Sequence, residues 1–378
     1  MISVDKKLGR SKPSFTPTYY KKAYEQYKSG VVRDLIALMK EAEVDSHVQG
    51  CLIGRRAGFQ RDWSISPYDS DNSTDQERAE IISDMFSEMD VRTLFKKIHE
   101  GVSFIYSVID FEWEVVNNLL WITDFKFYEQ HYFKLIDDEV RIDNGSKTGL
   151  EIPQSVMVAR SRDLPIMLSV LREFILKNFG LESWASFLET FGEAIIIGKY
   201  PAGAGEEMIA AVDAAVNAIA SSSRGSMPND GSIEIVETNR TGGDHKTFKE
   251  AMDKGISISL LGHANAVEDS SGMRIGENLA PFKVRREIAL DDIAFIESKM
   301  NWLVRLYYEQ NYSDGRYPKF VIDKSEPIVV TERIQVIDCA YDKGFIIHPD
   351  EFRKLGLKVD PNQQTMQRGP NPFDFTAE

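Results

Sequence analysis

Three lysines, Lys246, Lys249 and Lys254, share one polar stretch with Asp244, Glu250 and Asp253. The chemistry open to such a set is electrostatic. Glu250 and Lys254 stand at i,i+4, the spacing of a favourable helical ion pair. Two readings fit: a solvated face laced by ion pairs, or a helix that lines a channel. His263 and Arg274 follow in a Gly/Ser-rich stretch, Gly262–Asn278. Covalent and metal chemistry find little footing. Six histidines (His47, His99, His131, His245, His263, His348) are scattered, with no HExxH or other metal spacing. "GKYPAGAGEE" lacks the GK[ST] ending of a phosphate-binding loop, and no GxSxG elbow occurs. The acid pairs Asp137–Asp138 and Asp291–Asp292 are expected to be solvated surface in a chain with 59 acids. A carboxylate pair distant in sequence stays open, because catalytic acids need not be neighbours. The expectation is a chain that is not an enzyme and holds no cofactor or metal.

The whole chain sets limits on what surrounds these residues. A chain of 378 residues suggests two or more subdomains, and 42% hydrophobic content is globular. A net charge of -14 repels polyanions on average and argues against tight sequence-specific DNA binding. The charge is uneven. Residues 1–28 hold seven Lys/Arg against Asp5 and Glu25, a net of +5, which leaves -19 on the rest. That segment reads as a flexible solvated arm or as one that touches DNA or a neighbouring protein. Cys51 and Cys339 are far apart and read as free buried thiols in a reducing compartment. No secretory signal and no run long enough to span a bilayer is visible, so a soluble cytoplasmic product is expected.

The elements that must position the lysines can be read from periodicity. Val31–Gly50 has a helical apolar stripe through Val32, Leu35, Ile36, Met39 and Val44. A short strand at Asp62–Asp71 precedes a helix over Asp75–Met89. Asp90 is a candidate N-cap and Gly101 a candidate C-cap for Val91–Gly101. From Val102 to Ile142, Val, Ile, Phe, Tyr and Trp dominate and read as successive strands. A helix then starts near Asp163 and Pro165. Its core face is Leu164, Met167, Leu168, Leu171, Phe174 and Ile175, and Arg172, Glu173 and Lys177 lie opposite. Ile195–Lys199 and Ser232–Glu237 read as short strands flanking an Ala-rich helix, Glu206–Ala220. This insert would bury little alone, which favours pairing with copies of itself in an oligomer. A polar helix over Asp244–Ser259, the Gly262–Asn278 loop and a helix from Pro281 to Asn311 follow. Strands are expected at Lys319–Ile322 and Ile328–Thr331, then a helix-and-turn unit and a Pro/Gln/Asn-rich tail. The fold class is α+β.

Order and wording together resemble the Mu-type branch of tailed-phage portal proteins. The resemblance is strongest in "SWASFLETFGEAIIIGKYPAGAGEE", "GISISLLGHANAVEDSSGMRIGENLA" and "LDDIAFIESKMNWLVRLYYEQN", and extends to "EVDSHVQGCLIGRRAGFQRDWSISP" and "YDKGFIIHPDEFRKLGLKVDPN". Ala194 stands where the family suggests proline, and His263 where it suggests glutamine. The resemblance implies a basic N-terminal arm (1–30), an α+β wing (31–162), a first stem helix (163–190), a clip (191–243) and a second stem helix (244–261). A tunnel loop (262–280), a wing part with a long helix (281–345) and a short C-terminal crown or tail (346–378) would follow. It implies a homo-oligomeric ring, usually of twelve, at one capsid vertex, through which double-stranded DNA is packaged, retained and ejected. Its partners would be the major capsid protein, the terminase large subunit, a head–tail adaptor or connector and, transiently, double-stranded DNA, but no membrane. The implied location is the virion, with the host cytoplasm during assembly. Lys246, Lys249, Lys254, His263 and Arg274 would face the DNA. The alternatives are another ring-forming head–tail connector, which would lack the clip and long wing helix, and a nucleic-acid hydrolase, which would show metal-dependent activity.

Overall fold

The computed structural model describes residues 12–191, 195–222, 230, 232–236, 243–264 and 279–325. Arg274, the expected strand at 328–331 and the helix-and-turn unit lie outside them. The chain divides after Ile322, and Asp323–Glu378 form a separate unit of which only 323–325 are described. The first unit mixes helices and sheets as an α+β fold.

Helix α1 (Pro17–Lys28) is capped by the Thr16 side chain and has Pro17 at its first position, where a missing N–H costs nothing. Tyr20, Ala23, Tyr24 and Tyr27 recur at i, i+3, i+4, i+7 and turn toward the core. A flexible arm is therefore not what residues 17–28 form. The expected single helix over Val31–Gly50 is two: α2 (Arg33–Ala42) and α3 (Ser46–Phe59). The break is chemical, because the Asp45 carboxylate accepts hydrogen bonds from the backbone N–H groups of His47 and Val48 and starts a new helix.

Strand β1 (Trp63–Ser66) precedes α4 (Ser73–Ser87) and α5 (Val91–Ser103), and Asp90 caps α5 as expected. Gly101 does not end α5, which continues to Ser103. A Cβ at Gly101 would lie 2.4 Å from the Ala159 carbonyl oxygen, and the Gly101 carbonyl accepts from Ser161 N–H. The glycine thus serves a close helix–strand approach. Gly101→Ala is expected to lower stability by about 1–3 kcal/mol, the usual range for overpacking, because the obstacle is backbone. A urea melt would check this, and an unchanged midpoint would sink it.

Strands β2 (Ser107–Val116) and β3 (Leu119–Tyr128) form a hairpin with a bulge at Glu112/Trp113, and β6 (Met157–Ala159) pairs with the other edge of β2. Asn117 and Asn118 hold φ of 50° and 62°, a tight hairpin turn that asparagine tolerates. Between them, β4 (Phe133–Ile136) and β5 (Glu139–Ile142) form a second hairpin. Asp137 and Asp138 occupy its turn with φ of 49° and 69°, so this acid pair is a turn at the surface.

Helix α6 (Ile166–Phe191) starts after Asp163–Pro165, and Leu164 is exposed rather than part of the core face. An insert follows: β7 (Ile195–Lys199), α7 (Glu206–Ser222) and β8 (Ser232–Val236), with β7 and β8 antiparallel. Helices α8 (Gly243–Leu261) and α9 (Leu279–Asn311) come next, and β9 (Lys319–Ile322) closes on β1.

Two apolar clusters fill this unit. One gathers α1, α2, the start of α3, α6 and the end of α8. The other gathers α4, α5, the β2–β3 hairpin, α9 and β9. Val48, Cys51 and Leu52 of α3 lie in the first and Phe59 in the second, so α3 is the strut between them. Each Leu, Ile or Phe buried in these clusters contributes about 1.5–3 kcal/mol against exposure.

Candidate functional site

The lysine-bearing helix α8 runs antiparallel to α6. Contacts fall along one helix as they rise along the other: Glu173 with Gly255, Lys177 with Asp253, Gly180 with Phe248, Trp184 with His245. Two glycines permit this closeness. A Cβ on Gly180 would meet the Phe248 ring at 2.6 Å, and one on Gly255 would meet the Glu173 side chain at 2.8 Å. Trp184 and His245 stack with parallel rings 6.3 Å apart.

One face of this pair is tied to α3 by buried polar rungs. On α3, the N-cap Asp45 and then His47, Cys51 and Arg55 follow at helical spacing. On α8, Asp253, Ser257 and Leu260 face them. In the first rung the Lys177 ammonium, 4% exposed, lies 2.7 Å from both Asp45 Oδ2 and Asp253 Oδ1. Lys249 donates to the same Asp253 at 2.9 Å. Burial alone would depress the Lys177 pKa, but hydrogen bonds to Asp253 and Asp45 raise it above the ordinary lysine value. Burial likewise opposes ionisation of Asp253, and Lys177 and Lys249 outweigh it to lower its pKa. In the second rung His47 Nε2 and Ser257 Oγ are 2.8 Å apart, with Cys51 Sγ 3.7 Å from the same hydroxyl. Cys51 is a free thiol whose pKa burial raises, a packing residue rather than a nucleophile. In the third, Arg55 donates to the Leu260 carbonyl and grips both oxygens of Asp292 on α9, at 2.8 and 2.9 Å. Asp292 is 2% exposed and His99 of α5 is 1% exposed, with His99 Nε2 3.2 Å from Asp292 Oδ2. Ser103 Oγ lies 3.0 Å from His99 Nδ1. Burial pushes the His99 pKa down and keeps the ring neutral. Burial would raise Asp292, but the His99 and Arg55 contacts hold it below the usual carboxylate range.

The expected DNA-facing residues sit as follows. Lys246 is exposed and 3.8 Å from Glu250, so Glu250 turns to Lys246. Lys254 is exposed one turn beyond. Lys249 is drawn toward Asp253 and so toward the seam. Gly262, with φ of +78°, ends α8, and His263 follows it, half-buried. Burial, and then the Arg285 charge, lower the His263 pKa, so at neutral pH the ring adds no cation. Arg274 lies outside the described residues.

Sequence reasoning missed the seam. Lys177 was expected on the solvent-facing side of α6, and Asp292 in a solvated acid pair; both are buried ion-pair members. The available signal was the i,i+4 spacing of His47, Cys51 and Arg55 along α3, which sets two polar side chains in line with a buried thiol. Among the described residues no group of three or more His, Cys, Asp or Glu could hold a metal, and no helix is long and apolar enough to cross a membrane.

Residues 36–355 match the family described as the portal protein of Mu bacteriophage. The chain belongs to that family. The chain is 26% identical over 363 residues to the Mu-like prophage FluMu protein gp29 of Haemophilus influenzae, a match covering 86% of this chain and 68% of the relative. It is 24% identical over 309 residues to the portal protein of Escherichia phage Mu, covering 75% of this chain and 59% of that one. The match thus spans little more than half the length of the phage Mu protein. In fold, the chain is similar to a chain in the neck of a native gene transfer agent particle, computed with C12 symmetry. There the TM-score is 0.52 at 10% identity, over 94% of this chain and 98% of the other. The resemblance read from the sequence is therefore correct at the level of family.

Proposed function

We propose that twelve copies of this chain form a ring at one capsid vertex, through which double-stranded DNA is packaged, retained and ejected. The observation that carries this reading is the antiparallel α6–α8 pair, interrupted only by the β7–α7–β8 insert and fixed to α3 by polar rungs. Similar chains come from gene transfer agent necks computed with C12 and with C6 symmetry, which supports a ring. In this reading α6 and α8 are the stem, residues 191–243 the clip that docks the terminase large subunit and then a head–tail adaptor, and 262–280 the tunnel loop. The α+β remainder is the wing that meets the major capsid protein. The insert supports an oligomer on physical grounds. Its buried apolar residues among the described ones are Val212 and Ala215, while Ile197 and Tyr200 are exposed. Stacking of neighbouring inserts would cover them. Mass and symmetry of the purified protein test the reading: a ring of about twelve with a hole that admits a duplex is expected of a channel, and a compact monomer with a closed pocket would overturn it.

A channel must pass DNA without holding it. Each phosphate neutralised by Lys or Arg adds salt-sensitive affinity, so an acidic chain with isolated lysines suits transient contact. Lys246, Lys249 and Lys254 would become rings of charge on α8. Replacing all three by alanine is expected to change DNA retention or ejection and to leave ring assembly intact. Lys249 needs a control, because it also supports Asp253; Lys246→Ala/Lys254→Ala separates the two roles. Loss of rings in that double variant would show these lysines to be structural.

A further inference from the structure

The lysines on the polar face of α1 pair with little else among the described residues. Lys21 and Lys22 are exposed and make no ion pair among the described residues, while the Tyr20, Tyr24 and Tyr27 side holds the helix against α2 and α6. Among the described residues, Lys28 is the α1 lysine held in an ion pair, with Glu25 at 3.0 Å. The lysines are thus presented on a fixed helix rather than a loose tail.

The complementary feature lies on the other apolar cluster. Glu77, Glu80, Asp84 and Glu88 recur along α4 and its C-cap at intervals of three and four residues, and all four are exposed. They too make no ion pair among the described residues, since Arg78 turns to Tyr308 and Asp314. Two of these acids stand at the C-terminal end of α4, whose last turn holds no basic residue. Negative charge there opposes the helix dipole. A local placement that costs stability is a sign of a use elsewhere.

We infer that α1 of one protomer docks through Lys21 and Lys22 onto the Glu77–Glu80–Asp84–Glu88 face of α4 in the next. Two different patches of one chain that match each other make a head-to-tail contact, and repeated head-to-tail contacts close into rings. This inference rests on the ring reading above. The presence of its acidic complement on the same chain favours a second copy over DNA as the occupant of α1. The charges set which surfaces meet and in what register; each exposed pair adds little to stability by itself.

The test is the assembly of full-length protein, followed by light scattering and mass across a salt series. Lys21→Glu/Lys22→Glu and Glu80→Lys/Asp84→Lys should each slow ring formation by roughly tenfold or more at low ionic strength, and high salt should narrow the gap. Combining the two reversals should restore the wild-type rate. All four positions are exposed, so unchanged thermal melting checks that the variants fold. Wild-type assembly rates in both reversals, or no restoration in the combination, would overturn the inference. So would rings of Lys21→Glu/Lys22→Glu that form normally but bind duplex DNA less, which would make α1 a DNA contact. Wild-type protein that stays monomeric at every salt concentration would instead remove the ring reading itself, and this contact with it.

Discussion

Asp292→Ala is expected to destabilise the protein by about 3–5 kcal/mol, the range for removing one partner of a buried ion pair. The variant leaves the Arg55 guanidinium without the carboxylate it grips at both oxygens, with the Arg55 side chain only 10% exposed. His99 loses its Nε2 partner as well. Equilibrium urea unfolding would measure the loss, and a shift under about 1 kcal/mol, the scale of exposed pairs, would show that the seam is solvated after all. The same cluster sets a pH signature. The folded His99 pKa is lowered, so the unfolded chain takes up a proton that the folded one refuses. Stability from this source is present above the ordinary histidine value of about 6.5 and falls as pH drops below it. Asp292 and Asp253 are also lowered, so their contribution is present above about 3.9 and is lost as pH falls through their folded values. Acid unfolding should therefore begin in two stages. His99→Gln should remove the first, and an unchanged slope between neutral pH and pH 5 would count against that assignment.

Lys177→Ala is expected to cost about 3–5 kcal/mol, again as a broken buried pair, and to do so in a particular place. Two carboxylates, Asp45 and Asp253, would face each other across the space left by one ammonium. Asp45 also caps α3 through its other oxygen, so repulsion there would fray the start of the strut. Hydrogen exchange should rise most in α8 and in the first turns of α3, and little in the β2–β3 hairpin on the other cluster. Uniform protection loss across the chain would mean that Lys177 serves global packing only. Lys177→Arg is not expected to rescue fully, because a planar fork cannot take the compact position between two carboxylates.

How much of this was legible varies by the range of the interaction. Helices α4, α5, α7, α8 and α9, the β2–β3 and β4–β5 strands and the insert all follow from period and caps, because those signals are local. The α1 helix was equally legible in Tyr20, Ala23, Tyr24 and Tyr27, and the reading of a basic arm obscured it. The Asp45 break was written as a cap after an apolar run. Gly101 misled for a specific reason: a glycine near a helix end signals a cap, yet here a strand passes over it, and the strand lies far along the chain.

By itself the sequence determined the family, the α+β class and most of the described elements one by one, because periodicity and caps act within a few turns. Only the tertiary structure decided which charged groups are buried. Lys177 meets Asp45 from 132 residues away, and Arg55 meets Asp292 from 237. A lysine or aspartate carries no local mark of burial. Its environment is set by which helices pack against it, and an ion becomes tolerable inside the protein only when a distant counter-ion arrives with the fold.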